Sequence, residues 1–397
     1  MKKSFLLLFP FALVAYEIAC YLSNDMYLPA LPTFMREFNI TPHTAQLTIT
    51  LWFLGTATLQ CFIGPISDRF GRRPVLLAGG LLYVVANAMC ALIPDISIIL
   101  IARYIQGVSV ATMIVAGYAC IHEVLQKEEA IRIVALMGSI TILAPTIGPL
   151  VGAVIIHYFN WQSIFILLAV WAAVALSVLY RVMPEPIQSD NRHSLDIRDI
   201  TRRFGRVLAN KQFMTNLTCF CLLFMVLIAW LTAGPFLIVE TFHYTPFMFG
   251  IFQALIFGAF MIGTHSVKKL IEHYSITILL IVALVWIGIG NVIAIIGMLG
   301  WGGSLSWLVA GYMCFAAGAG LSFSSFQRFA MEASQEPAGA KMSVFSMGVS
   351  WTAVFASVLI SLFYHHPFRL LVIMMVVASV FTSVLRWKLV KKKPIIP

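Results

Sequence analysis

Pro10–Pro32 reads PFALVAYEIACYLSNDMYLPALP. It is long and apolar enough to cross a bilayer, for which a helix needs about 20 apolar residues. It nevertheless carries two carboxylates, Glu17 and Asp25. An acid near the bilayer centre costs roughly 2.5–3.5 kcal/mol on insertion scales, so an intramembrane carboxylate is a functional candidate by default. As an α-helix the stretch would place both acids within about 80° of one face and roughly 12 Å apart along the axis.

The rest of the chain sets the context. Of 397 residues 60% are apolar and only 11% charged, against about 25% charged in soluble domains, so this is an integral membrane protein. Lys2 and Lys3 lead into an apolar run longer than a secretory h-region and lacking a small-residue cleavage site, so the first helix is expected to be retained. The seven cysteines all fall in apolar segments, where they read as small packing residues rather than a disulfide framework.

Apolar runs are expected as helices near 5–32, 44–66, 74–94, 97–121, 131–156 and 162–182, then 212–239, 246–266, 275–298, 305–327, 342–364 and 368–388. This predicts an all-α membrane protein of twelve spans in two six-helix bundles, 1–182 and 212–397. The polar segment 183–211 joins them. In it Ile197, Ile200, Phe204, Val207 and Leu208 recur at helical spacing behind Ser194 and Asp196, which favours an amphipathic helix on the cytoplasmic surface over an unstructured linker. All but three of the 26 Lys and Arg residues fall at the termini or around alternate loops; Arg36, Arg103 and Arg369 are the exceptions. That bias predicts cytoplasmic termini, and it explains the net charge of +10 without a nucleic-acid partner.

Four further stretches carry chemistry. GPISDRFGRRPV, Gly64–Val75, sits in the turn after the second span. There Gly64 and Gly71 permit a tight turn, Asp68 can pair with arginine, and Arg69, Arg72 and Arg73 anchor the inner face. The corresponding turn in the second half keeps Lys268 and Lys269 but not the glycines. APTIGPLVGA, Ala144–Ala153, places Pro145, Gly148, Pro149 and Gly152 inside a span, a surface for close helix packing. ARYIQG, Ala102–Gly107, contains Arg103, the one basic residue within a span; by position it either faces protein or extends to the outer headgroups. Around the acids, Tyr16 precedes Glu17 and Asn24 precedes Asp25.

These motifs resemble those of the major facilitator superfamily. The Gly64–Val75 loop is similar to its signature G-x-x-x-D-[RK]-x-G-[RK]-[RK]. The 144–153 stretch is similar to the fifth-helix motif of its antiporters, with Ala144 and Ala153 at glycine positions, and Arg103, Gln106 and Gly107 match its fourth-helix motif. YEIACYLSNDMYLPAL, with Gly117–Leu125 and Ala229–Phe236, resembles the MdfA-type multidrug/H⁺ antiporters of the drug:H⁺ antiporter-1 family. The likeness is strongest over residues 10–185. It implies an inner-membrane exporter driven by the proton gradient, with a conformational latch at Gly64–Arg73, proton coupling near Arg103, and a monomeric state. Its substrates would be lipophilic cationic and neutral compounds, with a dedicated exporter of one metabolite, such as a siderophore, sugar or amino acid, as the alternative.

Glu17 and Asp25 are the only acids well inside a span; His265 lies near a helix end. Removal from water disfavours the ionised carboxyl, which makes protonation a usable switch. Asp25 is the first choice for the proton and Glu17 for a substrate cation. Aromatic and thioether side chains suited to varied lipophilic ligands, Tyr21, Met26, Tyr118, Met137, Trp230, Phe236 and Phe257, are candidate cavity residues. No G-x-x-x-x-G-K-[ST], H-E-x-x-H or G-x-S-x-G occurs, so neither ATP-driven transport nor enzymatic catalysis is expected, and no cofactor or metal.

Overall fold

The computed structural model describes residues 3–187, 197–300, 304–363 and 366–392, and among these there is no β-strand. The chain divides into two compact units, Met1–Asp196 and Ile197–Pro397. Ten described helices are long and apolar enough to span a membrane, or eleven with one bent pair counted as a span.

The first unit contains α1 (Lys3–Asp25), a 3₁₀ turn (Leu28–Ala30), α2 (Leu31–Glu37), α3 (Pro42–Phe70), α4 (Arg72–Leu92), α5 (Ile96–Thr112), a π-helical turn (Met113–Gly117), α6 (Tyr118–Val124), α7 (Lys127–Tyr158) and α8 (Gln162–Val182). The expected first span, 5–32, is therefore broken: α1 stops at Asp25, and Pro29 and Pro32 support a new start because proline suits the first turn of a helix. The bent pair is α3, which turns by 56° between Gln60 and Phe62. Pro65 supplies the cause, since its ring clashes with the carbonyl four residues back.

Within this unit α1 packs on α7 and α8, and α4 on α5 and α8. At the α3–α5 crossing a Cβ on Gly55 would fall 2.1 Å from the Tyr104 carbonyl oxygen, and one on Gly107 2.0 Å from that of Trp52. Only glycine on both sides allows that approach.

The second unit contains α9 (Ile197–Ala209), α10 (Lys211–Phe236), a π-helical turn (Leu237–Thr241), α11 (Pro246–Leu270), α12 (Ile276–Gly300), α13 (Leu305–Ala333), α14 (Ala338–Leu362) and α15 (Pro367–Lys392). Here α13 packs on α12 and α11, and α10 on α13, α14 and α15. The helix expected in the linker is α9. Rather than lying free, it docks on the second unit: Val207 is fully buried with Phe213, Leu217, Val344 and Phe345, and Phe204 packs beside them. The Arg206 guanidinium bonds Glu336 at 2.7 Å and the Asn210 amide donates to the Ala333 carbonyl at 2.8 Å. Ser194 and Asp196, expected at its start, lie outside the described residues.

Candidate functional site

Glu17 and Asp25 are both buried in the first unit, 0% and 5% exposed. Burying α1 with two acids requires that its surroundings hold it firmly, and four side chains from other helices do so. The Tyr83 hydroxyl on α4 donates to the Ala19 carbonyl. The Trp171 indole on α8 donates to the Ala15 carbonyl at 3.0 Å. The Trp52 indole on α3 donates to the Ser23 hydroxyl at 3.2 Å. Arg103 on α5 supplies the fourth tie, and Tyr16 adds an edge-on ring contact to Tyr83 at 5.9 Å.

Arg103 is fully buried, which rules out the extension to the outer headgroups. Its Nη1 donates to the Ser23 carbonyl at 3.0 Å and to Gln106 Oε1 at 2.6 Å. Its Nη2 donates to Asn24 Oδ1 at 3.1 Å, and Nε to the Thr48 carbonyl at 3.2 Å. The guanidinium also sits 5.2 Å above the Tyr27 ring, a cation–π arrangement. Among the described residues all its hydrogen-bond partners are neutral oxygens. The one buried cation beside α1 thus fixes the helix end without capturing either carboxylate.

Glu17 has a different neighbour. The Tyr118 hydroxyl, on α6 directly after the π-helical turn, donates to Glu17 Oε1 at 2.9 Å. The second carboxylate oxygen has no hydrogen-bond partner among the described residues.

The small-residue motif meets the same place. Gly148, Pro149 and Gly152 are buried on α7, where Pro145 and Pro149 lie within one continuous helix. A Cβ at Gly148 would come 2.7 Å from Asp25 Cβ, and one at Gly152 2.0 Å from the Met26 carbonyl oxygen. The motif lets α7 press against α1 where α1 ends.

The Gly64–Arg73 stretch forms a separate charged cluster. Arg72 pairs with Asp68 at 2.5 Å and with Glu123 at 2.9 Å, and its Nη1 also meets the Ser67 hydroxyl. Gly71 has φ 104°, a conformation that favours glycine, between the end of α3 and the start of α4. Glu185, just beyond α8, accepts from the backbone N–H groups of Arg72 and Arg73 at 3.1 and 3.0 Å. Arg73 stacks on Tyr180, and Arg69 lies over the Phe70 ring.

Of the candidate cavity residues, Met26 and Met137 are buried and Tyr21 and Tyr118 partly exposed in the first unit; Trp230, Phe236 and Phe257 are buried in the second. His265 is exposed. Sequence reasoning missed Ser23, Tyr27, Thr48, Tyr83 and Trp171. Two of these act through backbone carbonyls, which leave no side-chain signal, and the aromatic residues resemble ordinary packing. Among the described residues no group of three or more His, Cys, Asp or Glu could hold a metal ion.

Comparison with known proteins places the geometry in context. Residues 13–339 match the family model described as Major Facilitator Superfamily. The chain is 34% identical over 344 residues to a Yersinia pestis protein named multidrug transporter MdfA, covering 86% of this chain and 84% of that one. It is 30% identical over 391 residues to the Salmonella typhimurium multidrug resistance protein MdtM, covering 96% and 93%. Among solved structures it resembles a POT family transporter in complex with 5-aminolevulinic acid, with TM-score 0.73, 14% identity and 94% of each chain covered. It also resembles a bacterial homologue of the human lysosomal transporter Spinster, with TM-score 0.67, 10% identity and 100% of each chain covered. At those identities the two structures speak to the fold alone.

Proposed function

Because the chain belongs to the Major Facilitator Superfamily, we propose that it exports lipophilic cationic and neutral compounds by exchange for protons through alternating access. It is a multi-pass transporter of the bacterial inner membrane, takes small molecules as substrates, and is not an enzyme. The relatives' names, multidrug transporter and multidrug resistance protein, support the substrate breadth.

One observation carries the mechanism: two buried carboxylates share α1, while the nearby buried cation spends its donors on neutral oxygens. Both acids therefore stay available to a proton or a substrate cation. Asp25, beside Asn24 at the end of α1, is the proton-switched group. Glu17, steadied by Tyr118 and lying behind Tyr16, meets the substrate charge. Arg103 holds the end of α1 in place for both. A cation entering from the cytoplasm displaces a proton from this pair, and protons from outside displace the cation. For a neutral substrate the acids serve as proton carriers only.

In this reading Gly64, Asp68, Arg69, Gly71, Arg72 and Arg73 form a conformational latch, while Pro145, Gly148, Pro149 and Gly152 keep α7 against Asp25. Tyr21, Met26, Tyr118, Met137, Trp230, Phe236 and Phe257 contribute wall to the cavity. The chain works as a monomer with twelve spans and cytoplasmic termini, its bundles 1–182 and 212–397 joined by 183–211.

The test is transport into proteoliposomes under an imposed pH gradient, with tetraphenylphosphonium, chloramphenicol and an organic anion as probes. Gradient-driven movement of the first two is expected, and its loss in the Glu17→Gln/Asp25→Asn double variant. Full coupling in that variant would refute the assignment of the acids. Movement of a single metabolite only would favour a dedicated exporter.

A further inference from the structure

The second unit holds three polar aromatic and amide side chains in its interior. Trp230 on α10, Gln253 on α11 and Tyr312 on α13 are all 0% exposed. The Trp230 indole N–H donates to Gln253 Oε1 at 2.7 Å, and the Trp230 and Tyr312 rings lie 5.0 Å apart at 43°. That satisfies one acceptor and one donor. The Gln253 amide Nε2 and the Tyr312 hydroxyl have no hydrogen-bond partner among the described residues.

Two orphaned groups beside one ring pair call for a physical reason. Burying a polar group without a partner costs free energy, and phenylalanine or methionine would fill comparable volume without that cost. The trio also adjoins an irregular stretch: Pro235 lies inside α10, and the helix passes into the π-helical turn Leu237–Thr241. Such turns interrupt regular backbone bonding and occur frequently at functional sites. A Cβ at Gly234 would come 2.8 Å from the Phe249 ring and 3.6 Å from that of Trp230, so the α10 backbone comes close to these rings.

We propose that Trp230, Gln253 and Tyr312 form a binding subsite in the second unit for neutral compounds bearing hydrogen-bond-accepting oxygens. Gln253 Nε2 and the Tyr312 hydroxyl donate to a carbonyl, nitro or hydroxyl oxygen of the ligand, and the two rings cover its apolar part. The bond between Trp230 and Gln253 fixes the amide so that its NH₂ is the end left over. Since no buried charge accompanies the trio, it discriminates by hydrogen bonding and offers nothing particular to a cation without acceptors. This assignment rests on the exporter reading and divides its two substrate classes between different groups of residues.

The experiment uses the purified full chain with two probes. Chloramphenicol is uncharged and rich in accepting oxygens; tetraphenylphosphonium is a permanent cation with none. Tyr312→Phe removes one hydroxyl, and Gln253→Met removes the amide. Each is expected to weaken chloramphenicol binding about three- to tenfold, the worth of one hydrogen bond, while tetraphenylphosphonium affinity stays within about twofold. Tyr312→Phe should also leave the unliganded melting temperature unchanged or raise it, because it deletes an unpaired buried group. Equal weakening of both probes, unchanged chloramphenicol binding, no chloramphenicol binding by the wild type, or a lower melting temperature for Tyr312→Phe would overturn the subsite. Failure of the exporter reading looks different: both probes bind, and a pH gradient moves neither.

Discussion

The two units are built from similar helices but solve the problem of polarity in lipid differently. Among the described residues, every buried charged side chain, Glu17, Asp25, Arg72 and Arg103, is in the first unit. The buried polar residues of the second are amides and hydroxyls such as Asn216, Thr232, Gln253, Ser322 and Thr382. A buried ion must be surrounded by bonds on several sides, because losing one partner exposes the full desolvation cost of the charge. A buried hydroxyl can return its bond to its own helix, as Thr232 does to the Ile228 carbonyl at 3.0 Å. The charged unit is therefore cross-tied between helices, whereas the neutral one relies more on packing.

The largest expected consequence concerns arginine. Arg103→Ala would leave two backbone carbonyls, Asn24 and Gln106 without their donor and should cost about 3–5 kcal/mol. Arg386 in the second unit is partly exposed and lies 5.0 Å from the Phe329 ring, so Arg386→Ala should cost no more than about 1 kcal/mol. Thermal melts of the two variants in one detergent check the contrast. Comparable losses would mean that the units do not differ in the way described.

Glycines sharpen the comparison by a smaller amount. Gly152→Ala drives a methyl group against the Met26 carbonyl, which is backbone and cannot swing aside. A destabilisation of about 1–3 kcal/mol is expected, with impaired transport because Asp25 is displaced. A methyl group added at Gly258 on α11 would meet nothing within 4 Å, so Gly258→Ala should be neutral or stabilise by up to about 1 kcal/mol. Melting temperatures and dye efflux measured on both variants distinguish a contact at the end of α1 from a general intolerance of alanine.

How much of this is legible in the sequence follows from the same contrast. A charge inside an apolar run is conspicuous, so Glu17, Asp25 and Arg103 stand out, as does the Gly64–Arg73 loop by its spacing. The apolar runs locate the helices, but α13 continues to Ala333 and α7 begins at Lys127, beyond the expected limits, because a helix can extend past the lipid without remaining apolar. The stop at Asp25 leaves a trace only in Pro29, whose ring opposes the carbonyl four residues back. The π-helical turns are not legible, since their causes are contacts and backbone register rather than composition. Neither are the carbonyls of Ser23 and Thr48, which any residue would present. Trp230, Gln253 and Tyr312 come together from three helices with no spacing to announce them, and only Trp230 reads as a candidate, one aromatic among many. The docking of α9 on the second unit is likewise hidden, because an amphipathic face does not specify what it covers.

Proton dependence should separate the units as well. A cation that displaces one proton from Glu17 or Asp25 binds more tightly as pH rises, by up to about tenfold per pH unit, because the ionised carboxylate is the form that attracts it. Tetraphenylphosphonium affinity in detergent is therefore expected to climb with pH in the wild type and to flatten in Asp25→Asn. Chloramphenicol bound through neutral donors should show little change over the same range. A parallel pH profile for both probes would place them on the same groups.

The smallest effect belongs to the single bond on Glu17. Tyr118→Phe keeps the ring and removes the hydroxyl that donates to Oε1 at 2.9 Å, leaving both carboxylate oxygens without that support. One hydrogen bond to this buried acid corresponds to about a threefold loss of cation affinity and a stability change within about 1 kcal/mol. If Tyr118 only orients Glu17, the loss falls on KM for tetraphenylphosphonium and leaves the maximal rate and the chloramphenicol parameters alone. If instead it bears on the proton step, the maximal rate falls for both probes under the same gradient. The hydroxyl acts in the charged unit, so a variant that altered chloramphenicol alone would contradict the division of substrates between the two interiors.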